Sequence, residues 1–299
     1  MNNTLQISSF RHDINGLRAW AVLVVVLYHF GVSGFEGGFL GVDIFFVISG
    51  FLMTKIILSE LEQGSFDLNK FYIARAIRII PALSVLCLVL LILGWSLLSS
   101  IDYQQLGKHA LSSLFFVSNI VYWREAGYFE ASSHDKWLLH TWSLSAEWQF
   151  YLLLPIFLKI VWRVYKQKGI LLGLTISFIL SVIITIVTSK NHPSASYFLL
   201  PSRAWEMLLG GVIWLCSKKF QLTTAIKASL EYIGFFLIAI SLVIYDSSTP
   251  WPSYNAIVPV LGTCFVILAS RNNSIFTSNK LFSWLGKRSY SIYLWHWPI

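Results

Sequence analysis

A chain of 299 residues that is 56% hydrophobic, carries 12% charged side chains and has a mean hydropathy of +0.66 holds more apolar surface than one water-soluble core can bury, so lipid must serve as its solvent. The apolar residues fall in blocks near the roughly 20 a helix needs to cross a hydrocarbon core, without the alternation of a membrane barrel. The formal net charge of +8 lies in short loops between the blocks rather than on one basic face, which excludes nucleic acid as a partner.

The expected fold class is all-α, a polytopic transmembrane helical bundle. Arg11 and Arg18 lead into the first apolar block, Leu17 to Phe35; no small-residue cleavage site follows, so this is an uncleaved first helix. Further spans are expected at Gly41 to Leu58, Ile77 to Leu98, Leu138 to Trp162, Ile170 to Thr188, Arg203 to Cys216, Tyr232 to Tyr245 and Ala256 to Ala269. A ninth is expected to begin near Tyr290, leaving room for only ~15 Å of helix before Ile299, so the sequence is expected to stop inside a span. Cys87, Cys216 and Cys264 fall in or beside apolar blocks with no metal-ligand spacing.

The block Leu111 to Trp123 is short and interrupted by Ser112, Ser113, Ser118 and Asn119. If it spans, the basic stretch Arg163 to Lys168 and the later Lys218, Lys219, Lys227, Lys280, Lys287 and Arg288 fall opposite Arg11, Lys70, Arg75 and Arg78, against the positive-inside rule. If it dips in and returns or lies at the surface, every basic loop is cytoplasmic together with the N-terminus. A re-entrant or interfacial segment is therefore expected, inside an extracytoplasmic loop 99–137 suited to acceptor binding.

Ionisable residues inside apolar blocks are the candidate chemistry. Arg18 and His29 lie on nearly one helical face, ~16 Å apart along the axis, with His29 expected near mid-membrane. Two readings fit His29: a cross-helix hydrogen bond, or a general base whose ordinary pKa suits proton transfer at neutral pH. In the second helix Asp43 stands either as a helix-terminal cap or as a functional group, and Ser49 with Gly50 is chiefly a close-packing pair. Arg75 and Arg78, spaced i, i+3, share one side at the cytoplasmic interface, where they bind either lipid headgroups or the phosphates of a ligand such as coenzyme A. His140, Trp142, Ser143, Ser145 and Glu147 enter the fourth span together. Glu147 at mid-depth needs a partner, with His29 or Arg203 the choices, although Arg203 and Glu206 are also spaced to pair with each other. Near the end, Tyr293, Trp295 and His296 bring polar tips into the ninth span.

At these residues the sequence resembles the acyltransferase-3 family of membrane O-acyltransferases. The resemblance rests on Asp13-Ile14-Asn15-Gly16-Leu17-Arg18, the Arg18 and His29 pair, the run from Gly38 to Phe51, Arg75 and Arg78, the run from His140 to Tyr151, and Tyr290 to His296, in order along nearly the whole chain. The resemblance implies transfer of an acyl group, usually acetyl, from cytoplasmic acetyl-CoA to a hydroxyl of an extracytoplasmic glycan such as O-antigen or peptidoglycan. It implies donor binding by Arg75 and Arg78, catalysis by His29, Arg18 and Glu147, and support on the acceptor side from Asp43, Ser49, His140 and Trp142. The wording of the first two helices is most similar to the subgroup with a following periplasmic SGNH-type domain. On that basis about nine spans of a ten-helix core are expected here, in a bacterial inner membrane, with the rest of the protein beyond Ile299. The rival reading is a proton-coupled transporter or flippase, against which no inverted repeat is visible.

Overall fold

The computed structural model describes residues 10–126 and 135–299. Its helices are α1 (His12–His29), α2 (Gly41–Glu62), α3 (Leu68–Leu97), α4 (Ser100–Leu114), α5 (Ser118–Glu125), α6 (Thr141–Asn191), α7 (Pro193–Phe198), α8 (Leu200–Lys219), α9 (Thr224–Ile244), α10 (Ile257–Ala269) and α11 (Lys280–Trp295), with no strand among the described residues. The chain is an all-α, multi-pass membrane protein: α2, α3, α6 and α9 are each long and apolar enough to cross a bilayer by themselves. The expected first and sixth spans, α1 and α8, hold Asp13, Asn15, Arg203 and Glu206, all buried against protein, which lowers their hydropathy below that of a lipid-facing helix.

The centre of the bundle is the parallel contact of α2 and α8. A Cβ at Gly50 would collide with the Met207 carbonyl and one at Gly210 with that of Val47, so glycine on each helix lets the other's backbone come into contact. This supports the packing reading of Gly50. The same helices are tied at one end by Lys218 to Glu62 at 2.7 Å and at the other by Arg203 to Asp43 at 3.1 Å. Helix α11 lies against α1, where Gly286 abuts the Asn15 backbone.

Several expected boundaries move. Helix α1 ends at His29 rather than Phe35, with Gly31 and Gly34 at positive φ turning the chain at once. His29 therefore sits in the last turn of the helix, not midway along it. Arg163 to Lys168 is not an open loop: α6 runs through it and breaks sharply at Lys166, whose φ of 54° and ψ of −149° leave helical space, so the two expected spans meet end to end. Helix α11 starts at Lys280, capped by the Asn279 side chain accepting from the Phe282 amide, ten residues before the expected start. Lys280, Lys287 and Arg288 read as loop because of their charge, yet they occupy the polar side of an amphipathic helix that buries Gly286, Ser289 and Tyr293.

The segment Leu111 to Trp123 is two short helices, broken where Phe116 takes a φ of 55°. Protein covers the break: Gln149 on α6 donates to the Phe116 carbonyl at 3.0 Å, and the Ser118 and Ser145 hydroxyls meet at 2.7 Å. Residues 127–134 of the loop 99–137 lie outside the described residues.

Candidate active site

Two cavities lie along α1. The first, about 90 Å³, gathers Arg18 from α1, Ser49 from α2, Arg75 and Arg78 from α3, and Glu147 with Tyr151 from α6. Glu147 accepts hydrogen bonds from the Ser49 hydroxyl and, at 2.6 Å, from the Tyr151 hydroxyl one helical turn on. It lies within electrostatic reach of Arg18, which Arg78 also faces. Neither His29 nor Arg203 is its partner, because both are engaged elsewhere. Of these residues the sequence singled out Arg18, Ser49, Arg75, Arg78 and Glu147 but gave Tyr151 no role, and it offered Glu147 other partners. Ser49 packs beside Gly50, yet its hydroxyl serves the carboxylate. The Arg75 guanidinium lies 5.7 Å from the Phe71 ring and donates to the Met53 sulfur at 3.5 Å, with its Nε buried and unpaired among the described residues. Three guanidinium groups around one carboxylate leave an excess of positive charge in a narrow, mostly apolar cleft. An anionic ligand with an apolar arm satisfies such a cleft.

The second cavity, about 490 Å³, lies beyond the end of α1 and is walled by His29, His140, Trp142, Tyr28 and the loop residues Asp246 and Trp251. The two cavities share only Val42 and Tyr293 as lining. The Tyr293 hydroxyl is held at 2.7 Å from the Ser143 hydroxyl and donates to the His140 carbonyl at 3.1 Å, so the partition is fixed by hydrogen bonds.

The proton positions of two histidines follow from their partners. His29 Nδ1 is 2.9 Å from the Val25 carbonyl, which can only accept, so Nδ1 carries a hydrogen, and in the neutral ring Nε2 holds the lone pair. His296 Nδ1 is likewise 2.6 Å from the Tyr293 carbonyl, leaving its Nε2 as an acceptor 3.2 Å from His29 Nδ1. The His29 N–H is thereby shared between a carbonyl and a second imidazole. The sequence singled out His296 but gave it no role; its link to His29 spans 267 residues.

Asp43 is no helix cap. It is buried with Arg203 and Glu206, each carboxylate 3.1 Å from Arg203 Nη1, close enough for ion pairing though not aligned as hydrogen bonds. The Arg203 guanidinium also lies 5.4 Å from the rings of Phe46 and Trp142, so Trp142 braces this cluster while its other side lines the second cavity. Asp43 reaches the cavity through Trp251, whose indole N–H donates to it at 3.2 Å. That contact fixes the loop 246–251 as a wall, which the sequence missed because nothing local marks Trp251. Asp246 on the rim accepts from the Ser248 hydroxyl at 2.6 Å, and this bond, with the Ser248 amide and the Thr249 hydroxyl, holds its carboxyl below the usual range.

A family model described as an acyltransferase domain matches residues 11–299. The O-acetyltransferase OatA of Staphylococcus aureus is 34% identical over 306 residues, covering 96% of this chain and 50% of that protein. The peptidoglycan O-acetyltransferase OatA of Listeria monocytogenes is 34% identical over 309 residues, covering 96% of this chain and 49% of its own. The putative peptidoglycan O-acetyltransferase YrhL of Bacillus subtilis is 30% identical, covering 96% and 48%. The chain thus spans about half the length of these relatives. No solved structure matches it.

Proposed function

Because the chain belongs to the acyltransferase-3 family of membrane O-acyltransferases, we propose that it passes an acyl group, acetyl in the first instance, from a CoA thioester at the arginine cavity to a glycan hydroxyl at the histidine cavity. The observation that carries this reading is the pair of cavities, one lined by arginines and the other by histidines, that share Val42 and Tyr293 as lining. Arg75 and Arg78 hold donor phosphates, and Arg18, balanced by Glu147, orients the acyl arm toward the partition. His29 Nε2 takes the proton from the attacking hydroxyl. The positive-inside rule puts Arg163, Lys218, Lys227 and the N-terminus on the cytoplasmic side of a bacterial inner membrane, so the arginine cavity meets the cytoplasmic CoA pool. The helix pair α4 and α5 is then the re-entrant or interfacial element of the opposite face.

The names of the Listeria and Bacillus relatives favour a peptidoglycan sugar as acceptor over O-antigen. The relatives' extra length leaves room for the extracytoplasmic SGNH-type domain that the sequence resemblance implies as partner. A transporter reading accounts for intramembrane charge but gives no place to the acyltransferase family to which the chain belongs.

The test is release of free CoA from acetyl-CoA by membranes holding the protein, with and without glycan. Acceptor-dependent release is expected, and His29→Ala is expected to cut it roughly 10²–10⁴-fold while the protein stays inserted. Movement of intact substrate without thiol release would replace the enzyme with a transporter.

A further inference from the structure

His140 differs from the other two histidines of the second cavity. His29 and His296 each have a ring nitrogen settled by a backbone carbonyl, whereas both ring nitrogens of His140 are buried with no hydrogen-bond partner among the described residues. The Leu294 carbonyl faces the ring without closing a hydrogen bond. The backbone beside it is firmly placed, since the His140 carbonyl accepts from the Tyr293 hydroxyl at 3.1 Å. The ring is therefore held in the cavity wall by the start of α6, with its polar atoms uncommitted.

A buried imidazole left unsatisfied costs about 1–3 kcal/mol, and such groups persist where a ligand completes them. The reaction needs one more group at this place. When a hydroxyl oxygen attacks a thioester carbonyl, the new C–O bond forms and the C=O π pair moves onto the acyl oxygen. His29 Nε2 receives the hydroxyl proton. On collapse the C–S bond breaks and the sulfur leaves as thiolate, which takes that proton to become the thiol. The charge that develops on the acyl oxygen calls for a fixed N–H or O–H donor in a water-poor site. Three other donors of this wall are committed: Trp251 to Asp43, Trp297 to the Lys136 carbonyl at 2.9 Å, and Tyr293 to the His140 carbonyl. The His296 ring centroid is 5.0 Å from that of His29 and 5.6 Å from that of His140, so base and uncommitted imidazole flank one neighbour.

We infer that His140 is a catalytic residue whose N–H donates to the acyl carbonyl oxygen as the tetrahedral intermediate forms, with an acyl thioester as the group it binds. The inference rests on the acyl-transfer reading above and divides the work: His29 moves the proton, His140 holds the oxyanion.

Two variants test it in the full-length protein in native membranes and detergent: His140→Leu, which removes the donor at similar volume, and His140→Gln, which keeps an N–H. Losing one such donor costs roughly 10²–10³-fold in kcat. His140→Leu is expected to show that loss with an unchanged KM for acetyl-CoA and a heat-denaturation midpoint at or above that of the parent, because a buried unpaired polar group has been removed. His140→Gln is expected to keep activity at least tenfold above that of His140→Leu. A Leu variant as active as the parent, or one that loses activity in step with its heat midpoint or fails to fold, overturns the inference and leaves the acyl-transfer reading standing. A parent protein without acceptor-dependent thiol release overturns both.

Discussion

The cluster of Asp43, Arg203 and Glu206 sets two carboxylates against one guanidinium, all fully enclosed by protein. With both acids ionised it carries one negative charge too many, so its three members are expected to respond unequally to substitution. Arg203→Met removes the sole cation touching either carboxylate among the described residues, and with it the ring contacts to Phe46, Trp142 and Tyr197. Stripping a buried charge of its partner typically costs about 3–5 kcal/mol, a large share of the 5–15 kcal/mol that holds a protein together. At roughly 2–4 °C per kcal/mol, the apparent midpoint falls by about 6–20 °C. Asp43→Asn leaves the Arg203 and Glu206 pair electrically balanced and keeps an oxygen for the Trp251 indole, so its cost is at most about 1–2 kcal/mol. The assay is loss of the monodisperse gel-filtration peak of detergent-solubilised protein after graded heating. Equal shifts for the two variants, or a larger one for Asp43→Asn, would refute the charge arithmetic.

Other consequences follow from the two cavities and the helix contact. Arg78→Gln removes a charge-assisted phosphate contact and should raise the KM for acetyl-CoA roughly ten- to a hundredfold with a smaller change in kcat, measured by thiol release. Trp251→Phe cuts the tether of the loop 246–251 to Asp43, so the acceptor KM should rise while the donor KM stays put; the reverse pattern would relocate the acceptor site. Gly210→Leu drives a side chain into the Val47 carbonyl and, through overpacking of at least about 1–3 kcal/mol, should sharply reduce the folded yield, whereas Gly107→Ala, which meets open space, should not.

How far the sequence could be read depended on the range of each contact. The arginine cavity was legible because its members announce themselves as charges inside apolar blocks, and Arg75 with Arg78 are one helical turn apart. Even there, Tyr151, one turn from Glu147 and its hydrogen-bond donor, passed unnoticed, because an aromatic hydroxyl in a span resembles an interfacial anchor. The histidine cavity was only half legible. His29 and His140 stood out, but the imidazole that orders His29 lies 267 residues away and the indole that ties Asp43 lies 208 away. Helix ends were misplaced wherever charge was equated with loop, as at Lys280 to Arg288. Depth was misjudged where a helix was extended through glycines that in fact end it, as after His29.

Sidedness of the donor tests the central claim most directly. Sealed inside-out and right-side-out vesicles holding the protein receive labelled acetyl-CoA in the bulk phase, and acyl label on glycan is followed on each face. Thiol release is expected only where the face bearing Arg75, Arg78 and Lys218 meets the CoA, with labelled glycan appearing on the opposite, His29-bearing face. Thiol release and labelled glycan on one and the same face would contradict transfer through the partition at Val42 and Tyr293.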